Sequence, residues 1–307
     1  MEETMSKIDE IRALKEEKDV VILAHYYVEG DVQEIADFVG DSYALAKKAT
    51  EVGQQNILFC GVRFMGESAK LLNPDKHVYM ADLEADCFMA RMVTAEQVKK
   101  VKAEHPDAAV VCYVNSTAEV KALSDVCVTS SNAIRVVKKM KEKEIFFIPD
   151  NHLAHFVAKA VPEKTFIFHN GFCPVHQNIT VNHMKKVKGE HPGAPVLAHP
   201  ECPQEILNEA DFIGSTSEII DFAGKSGEKE FVIATEIGVF HQLLKENPDK
   251  KFYPAMEGQV CTNMKKVTID KVYDVLSDLK DQEELILPEA MMEEAKCPLE
   301  RMLDLAK

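Results

Sequence analysis

The chain has 307 residues, 46% hydrophobic and 28% charged, with 36 Lys and Arg against 51 Asp and Glu for a formal net charge of -15. This balance describes a folded chain long enough to bury real cores, and the acidity argues against nucleic acid or an anionic membrane surface as partner. Apolar runs are short, residues 108–114 being one of them, against the ~18 residues of a spanning helix. The opening stretch MEETMSKIDEIRALKEEKD is charged, with no apolar core for a signal peptide, so a cytoplasmic location is expected.

In chain order the predicted elements recur. A helix opening at Ser6 leads to an apolar run ending in AHYY (24–27), then ADFVGDS (36–42), NPDK (73–76) and Cys87. A second helix opens at Thr94, with Gln97 at the capping-box spacing. It leads to AAVVCYV (108–114), a β-branched run of the kind buried on both faces. A short helix follows, then a strand in DVCVTS (125–130), a helix in SNAIRVVKKMKEK (131–143) and a strand in EIFFIPD (144–150). The helix NHLAHFVAKAV (151–161) and the strand KTFIFH (164–169) precede Cys173. A third helix opens at Thr180 and leads to AHPE (198–201), ADFIGST (210–216), NPDK (247–250) and Cys261. A fourth helix opens at Thr268 and is followed by ELILP (284–288).

Offsets of 88 and 86 superpose His25, Tyr113 and His199, then Asp37, Asp125 and Asp211, then Ser42, Ser130 and Thr216. Cys87, Cys173 and Cys261 follow at spacings of 86 and 88. Coincidences in a fixed order mark a threefold repeat, with limits expected at 1–93, 94–179 and 180–267. Residues 268–307 begin a fourth copy that packs back on the first. Alternating helices and strands predict an α/β fold whose repeats each hold a small parallel sheet with helices on both faces.

Ligands of such sheets bind beyond the carboxyl ends of the strands, where the equivalent polar residues fall: His25 and Tyr27, Tyr113 and Asn115, His199 and Glu201. Ser42, Ser130, Ser215 and Thr216 mark helix starts, and are either plain N-caps or parts of a shared anion site. The eight cysteines include no CxxC pair, and the ordinary reading of any one is a small buried hydrophobe. Cys87, Cys173 and Cys261 differ in lying in the polar or glycine-bearing loops EADCFMA, NGFCPVH and GQVCTNM. One thiolate from each repeat makes a trigonal soft-ligand set. It suits a [4Fe-4S] cluster with one iron left open as a Lewis acid, or a zinc ion with His176 as a further ligand.

The strings HYY, DSYALA, GVRFMGESAK, YVNSTAEVKA, VTSSNA, HPEC and KKFYPA, with the three cysteines, resemble the quinolinate synthase family over residues 8–303. The resemblance implies three pseudo-threefold αβα sandwich domains around a central cavity, with a [4Fe-4S] cluster at its base. It implies condensation of iminoaspartate with dihydroxyacetone phosphate to quinolinate, phosphate and two waters, in de novo NAD synthesis. The enzyme that supplies iminoaspartate is then a candidate partner. Tyr27 and Glu201 become acid/base candidates, and His25 and His199 carboxylate binders or proton carriers. Tyr113 and Asn115 would position the intermediate, with His176 beside the cluster. Some relatives carry a CxxCxxC segment near the C-terminus; only Cys297 lies there here, so thiol–disulfide regulation of that kind is not expected. Two other readings use the same residues: a cluster-dependent hydro-lyase of a small carboxylic acid, and an electron-transfer or iron-sensing protein. His152, His155 and His183 receive no role.

Overall fold

The structure, a computed structural model, describes residues 6–307; the first five residues of the expected repeat 1–93 lie outside the described residues. The first copy comprises α1 (Lys7–Glu17), β1 (Val20–His25), α2 (Gly30–Ile35), β2 (Phe38–Gly40), α3 (Ser42–Glu51), β3 (Asn56–Cys60), α4 (Arg63–Leu72) and β4 (His77–Met80). The second comprises α5 (Ala95–Glu104), β5 (Ala109–Tyr113), α6 (Ala118–Ala122), β6 (Val126–Val128), α7 (Ala133–Lys139), β7 (Glu144–Ile148), α8 (Asn151–Ala160) and β8 (Thr165–Phe168). After a single turn α9 (Pro174–Gln177), the third comprises α10 (Val181–Glu190), β9 (Val196–Ala198), α11 (Gln204–Leu207), β10 (Phe212–Ile213), α12 (Thr216–Lys225), β11 (Glu230–Ala234), α13 (Val239–Glu246) and β12 (Lys251–Pro254). The helices α14 (Ile269–Ser277) and α15 (Glu289–Leu305) close the chain.

Each copy builds one four-stranded sheet, in the orders β2-β1-β3-β4, β6-β5-β7-β8 and β10-β9-β11-β12, and neighbouring strands in all three run parallel. The central strands β1, β5 and β9 are buried along their whole length, which explains their unbroken apolar runs where other strands alternate. The helices that open the copies start as expected, with the side chains of Ser6, Thr94, Thr180 and Thr268 capping the N-terminal turns. The Thr94–Gln97 capping box is formed in both directions.

Repetition extends to single bonds. The Asp37 carboxylate accepts from the Ile22 N–H at 2.8 Å, Asp125 from Val110 at 2.7 Å and Asp211 from Val196 at 2.8 Å. Each aspartate fastens its second strand to the start of the central one, satisfying a backbone donor that the ladder leaves open. The sheets differ in their cores. One continuous apolar cluster serves the first two sheets. The third has separate clusters on its two faces, Val196, Ala198 and Val232 on one and Leu197, Phe231 and Ile233 on the other, as strand alternation requires.

The C-terminal segment reaches further than the expected return to the first copy. α14 packs on α1, and the Leu285 N–H donates to the Val78 carbonyl at 2.8 Å on the open edge of β4. α15 then lies on α6, β6 and α7 of the second copy as well as on α4. Its end is fixed there by Lys139 to the Leu305 carbonyl at 2.7 Å and Arg301 to the Asp125 carbonyl at 3.1 Å. Seventeen residues make a helix of about 25 Å, enough to bridge two copies through buried Ala295, Leu299 and Met302. Among the described residues no helix is long and apolar enough to cross a membrane.

Candidate active site

The carboxyl ends of the three sheets face one cavity of about 260 Å³. His25, Tyr27, Ser42 and Cys87 line it from the first copy, Tyr113, Asn115, Ser130, Cys173 and His176 from the second and its exit loop, and His199, Glu201, Thr216 and Cys261 from the third. Ser215 is the one candidate that does not line it. Its side chain caps α12 by accepting from Glu218 N–H in a closed capping box, so Thr216, one residue on, presents the hydroxyl. Ser42 is likewise the first helical residue, with Asp41 as the cap. Ser130 sits in the turn before α7, whose N-cap position is Asn132.

Local backbone bonds orient the histidines. The Tyr27 N–H donates to His25 Nδ1 at 3.2 Å, and the Glu201 N–H to His199 Nδ1 at 3.3 Å, the same contact in two copies. Both rings therefore carry their proton on Nε2, and that of His199 faces Ser130 Oγ at 3.2 Å. Burial above all lowers His25 and His199 to about 3, so both are neutral at physiological pH.

Glu201 is buried and central. Its Oε1 accepts from the Tyr113 hydroxyl at 2.6 Å. Its Oε2 lies 2.9 Å from His176 Nδ1, but off the line of a good ring hydrogen bond. Burial pushes this carboxyl up, yet the neighbouring His199 and His176 rings and the Tyr113 hydroxyl hold it below the ordinary carboxylate range. Burial and the charge of Glu201 push Tyr27 and Tyr113 well above the usual phenol value, so both are proton donors at rest. The Tyr27 hydroxyl lies 2.8 Å from Thr216 Oγ1 and 2.8 Å from Thr235 Oγ1, and the latter lies 2.9 Å from His176 Nε2. A hydrogen-bonded chain thus runs from repeat one to repeat three.

Thr235 was not among the sequence candidates. Its counterparts in the other copies are Gly61 and Pro149, so repetition carries no signal for it. Glu236, which also lines the cavity, was missed as well, although Asp150 at the equivalent position offered one.

The three loop cysteines are partly exposed to this cavity. Burial, then the negative neighbours Cys261 and Glu201, push the Cys87 thiol up to about 12; burial and Glu201 raise Cys173, on which Cys87 and Cys261 also act. The three sulfurs therefore feel one another, and a cation among them would offset the cost of the thiolate form. Ligand atoms of Cys173, His176 and Glu201 also lie within 4.8 Å of one another. Three soft donors lining one cavity, with a nitrogen and a carboxylate beside Cys173, fit a thiolate-bound metal centre.

Titration of the two buried histidines has a stability consequence. Their folded value lies below the ordinary 6.5, so the stability they leave intact above pH 6.5 is lost as pH falls towards 3. At pH 5 the loss is about 2 kcal/mol for each. Urea midpoints of metal-free protein between pH 7.5 and 5 are expected to fall steeply, and less so in His25→Asn and His199→Asn. Equal slopes in parent and variants would contradict it.

Fold and site together define an α/β protein of three repeats that pool side chains, thiols included, in one cavity. The family model described as quinolinate synthetase A protein matches residues 9–304. The chain is 51% identical to the quinolinate synthase of Fusobacterium nucleatum over 298 residues, 97% of this chain and 99% of that one. It is 50% identical to that of Caldicellulosiruptor bescii over 97% of both chains. With that of Aquifex aeolicus the identity is 47%, over 97% of this chain and 93% of the other. The chain belongs to the quinolinate synthetase A family and is an enzyme.

Proposed function

We propose that the cavity condenses iminoaspartate with dihydroxyacetone phosphate to quinolinate, releasing phosphate and two waters, in the cytoplasmic synthesis of NAD. Its three units are limited at 93/94, 179/180 and 267/268, and Cys87, Cys173 and Cys261 hold a [4Fe-4S] cluster. The observation that carries this reading is the convergence of one thiol from each repeat on the cavity that gathers the equivalent polar residues. Such a cluster supplies a Lewis-acidic iron with an open position.

The chain's own groups do the rest. Neutral His25 and His199 hydrogen-bond the substrate carboxylates, and Asn115, whose buried Oδ1 has no protein partner, orients the nitrogen of the forming ring. Glu201 removes a proton, and Tyr27 gives one to a departing hydroxyl. Ser42, Ser130 and Thr216 receive the anionic groups. An imine hydrolyses in water, so the enzyme that makes iminoaspartate is the partner to expect. A zinc ion on Cys173, His176 and Glu201 is the second reading, favoured by their mutual distance.

Anaerobic reconstitution with iron and sulfide, followed by incubation with both substrates, is expected to yield a pyridine dicarboxylate and phosphate in equal amounts. Zinc instead of iron and sulfide in the active protein, or product without phosphate, would overturn the reading. Ser42→Ala loses a hydrogen bond to a charged group, about 1.5–3 kcal/mol, and should weaken phosphate-substrate binding by roughly one to two decades. Ser215→Ala should cost about 1 kcal/mol of stability, as a lost N-cap does, and leave binding alone. Unchanged affinity in Ser42→Ala would leave that hydroxyl no role in binding.

A further inference from the structure

Two buried carboxylates have no task in this scheme. Asp150 and Glu236 share one repeat position with Val62, just beyond β7, β11 and β3, and both are fully buried. Asp150 caps α8 by accepting from the Leu153 N–H at 2.7 Å. Glu236 caps nothing of the kind: the N-cap position of α13 is Gly238, with no side-chain bond.

The two oxygens of Glu236 are instead divided. Oε1 accepts from the Cys261 N–H at 3.0 Å, and Oε2 from the Gly238 N–H at 2.6 Å. Lys265 lies 3.4 Å from Oε1 and donates to the Tyr27 carbonyl at 2.8 Å. Gly238 is pressed against the same loop, since a Cβ there would stand 2.7 Å from both the Tyr26 carbonyl oxygen and Tyr27 Cα. One buried charge therefore joins the backbone of Cys261, in the third copy, to the backbone of Tyr27, in the first. A helix cap would not require this arrangement, and a buried carboxylate is costly unless so fully bonded.

We propose that Glu236 is a positioning residue: through Cys261 N–H, Gly238 N–H and Lys265 it clamps the Cys261 loop to the Tyr27 loop and so fixes how the thiolate centre faces the reacting pocket. The proposal rests on the reading of Cys261 as a cluster ligand. It deepens that reading, because groups behind a ligand orient it and their loss typically costs about 10- to 100-fold in metal affinity or activity.

The test compares Glu236→Gln, Glu236→Asp and Lys265→Met with the parent, reconstituted anaerobically. In Glu236→Gln an amide nitrogen must face one of the backbone donors, so one bond of the clamp breaks. Iron and sulfide should still be taken up, kcat should fall roughly 10- to 100-fold with KM little changed, and the reduced centre should show an altered EPR spectrum and a shifted midpoint potential. In metal-free protein, iodoacetamide should alkylate Cys261 severalfold faster in Glu236→Gln than in the parent, with Cys87 unaffected. A parental spectrum, potential and Cys261 alkylation rate in Glu236→Gln would overturn the proposal. Should neither Glu236 variant fold, Lys265→Met decides: it leaves the Cys261 bond and removes the tether, so kcat should fall about tenfold, and a parental kcat overturns the clamp. If the parent itself takes up no iron, the cluster reading fails alone and the alkylation rates still test the clamp.

Discussion

Cys261→Ala should yield a folded protein that forms no intact [4Fe-4S] centre on anaerobic reconstitution, and Cys87→Ala and Cys173→Ala should do the same. Each thiol is the contribution of one repeat to the shared cavity, and no other cysteine lines it. The remaining cysteines are placed otherwise. Cys60 ends β3 in the core, and Cys112 and Cys127 are register partners in β5 and β6. The Cys202 thiol points at the Ala234 carbonyl at 3.3 Å, and Cys297 is exposed on α15. Changing any of these five to Ala should leave the cluster spectrum intact, although the buried ones can lower stability by opening small cavities. Iron and sulfide analysis with visible and EPR spectra reads the outcome. A normal cluster in Cys261→Ala would sink the ligand assignment.

Glu201→Gln should separate chemistry from assembly. The amide keeps an oxygen for the Tyr113 hydroxyl and nearly the same volume, so cavity and metal uptake should survive. What is lost is a buried carboxylate that its neighbours hold ionised, with the Tyr113 hydroxyl donating to it. A missing general base costs roughly 10²- to 10⁴-fold in rate. The framework itself does not demand the charge, because Asn115 fills the equivalent position in the second copy. Quinolinate formation per iron-loaded site is the measurement. Turnover within a few-fold of the parent would leave Glu201 a binding or structural residue, and the proposed proton transfer would have to move elsewhere.

The backbone of this site was legible in the sequence because it is written three times. Buried central strands, opening caps and the aspartates at 37, 125 and 211 recur at fixed offsets, and each recurrence fixes where a chain segment must lie. Side-chain direction does not recur in the same way. Ser215 and Thr216 differ by one residue at a helix start, and that step turns one hydroxyl into the cap and the other towards the cavity. Thr235 has glycine and proline as counterparts, so only the folded chain reveals its place between Tyr27 and His176. The reach of α15 escaped for another reason: its apolar face fits a groove made by two copies, and a repeat comparison describes each copy alone. Glu236 was within reach, since Asp150 shares its position, but a polar pair beside an apolar Val62 looks like variation until the bond to Cys261 is seen.

The separate cores of the third sheet bear on how the molecule comes apart. The first two copies share one apolar cluster and are strapped by α15, so they should unfold as one cooperative block, whereas the third can open as a unit of its own. The proposed cluster, fed by one thiol from each copy, would then act as a staple between blocks, because it would bind only where the third is docked. Stripping the metal would loosen residues 180–267 first, making them the preferred entry point for proteases and for hydrogen exchange while the rest of the chain stays closed.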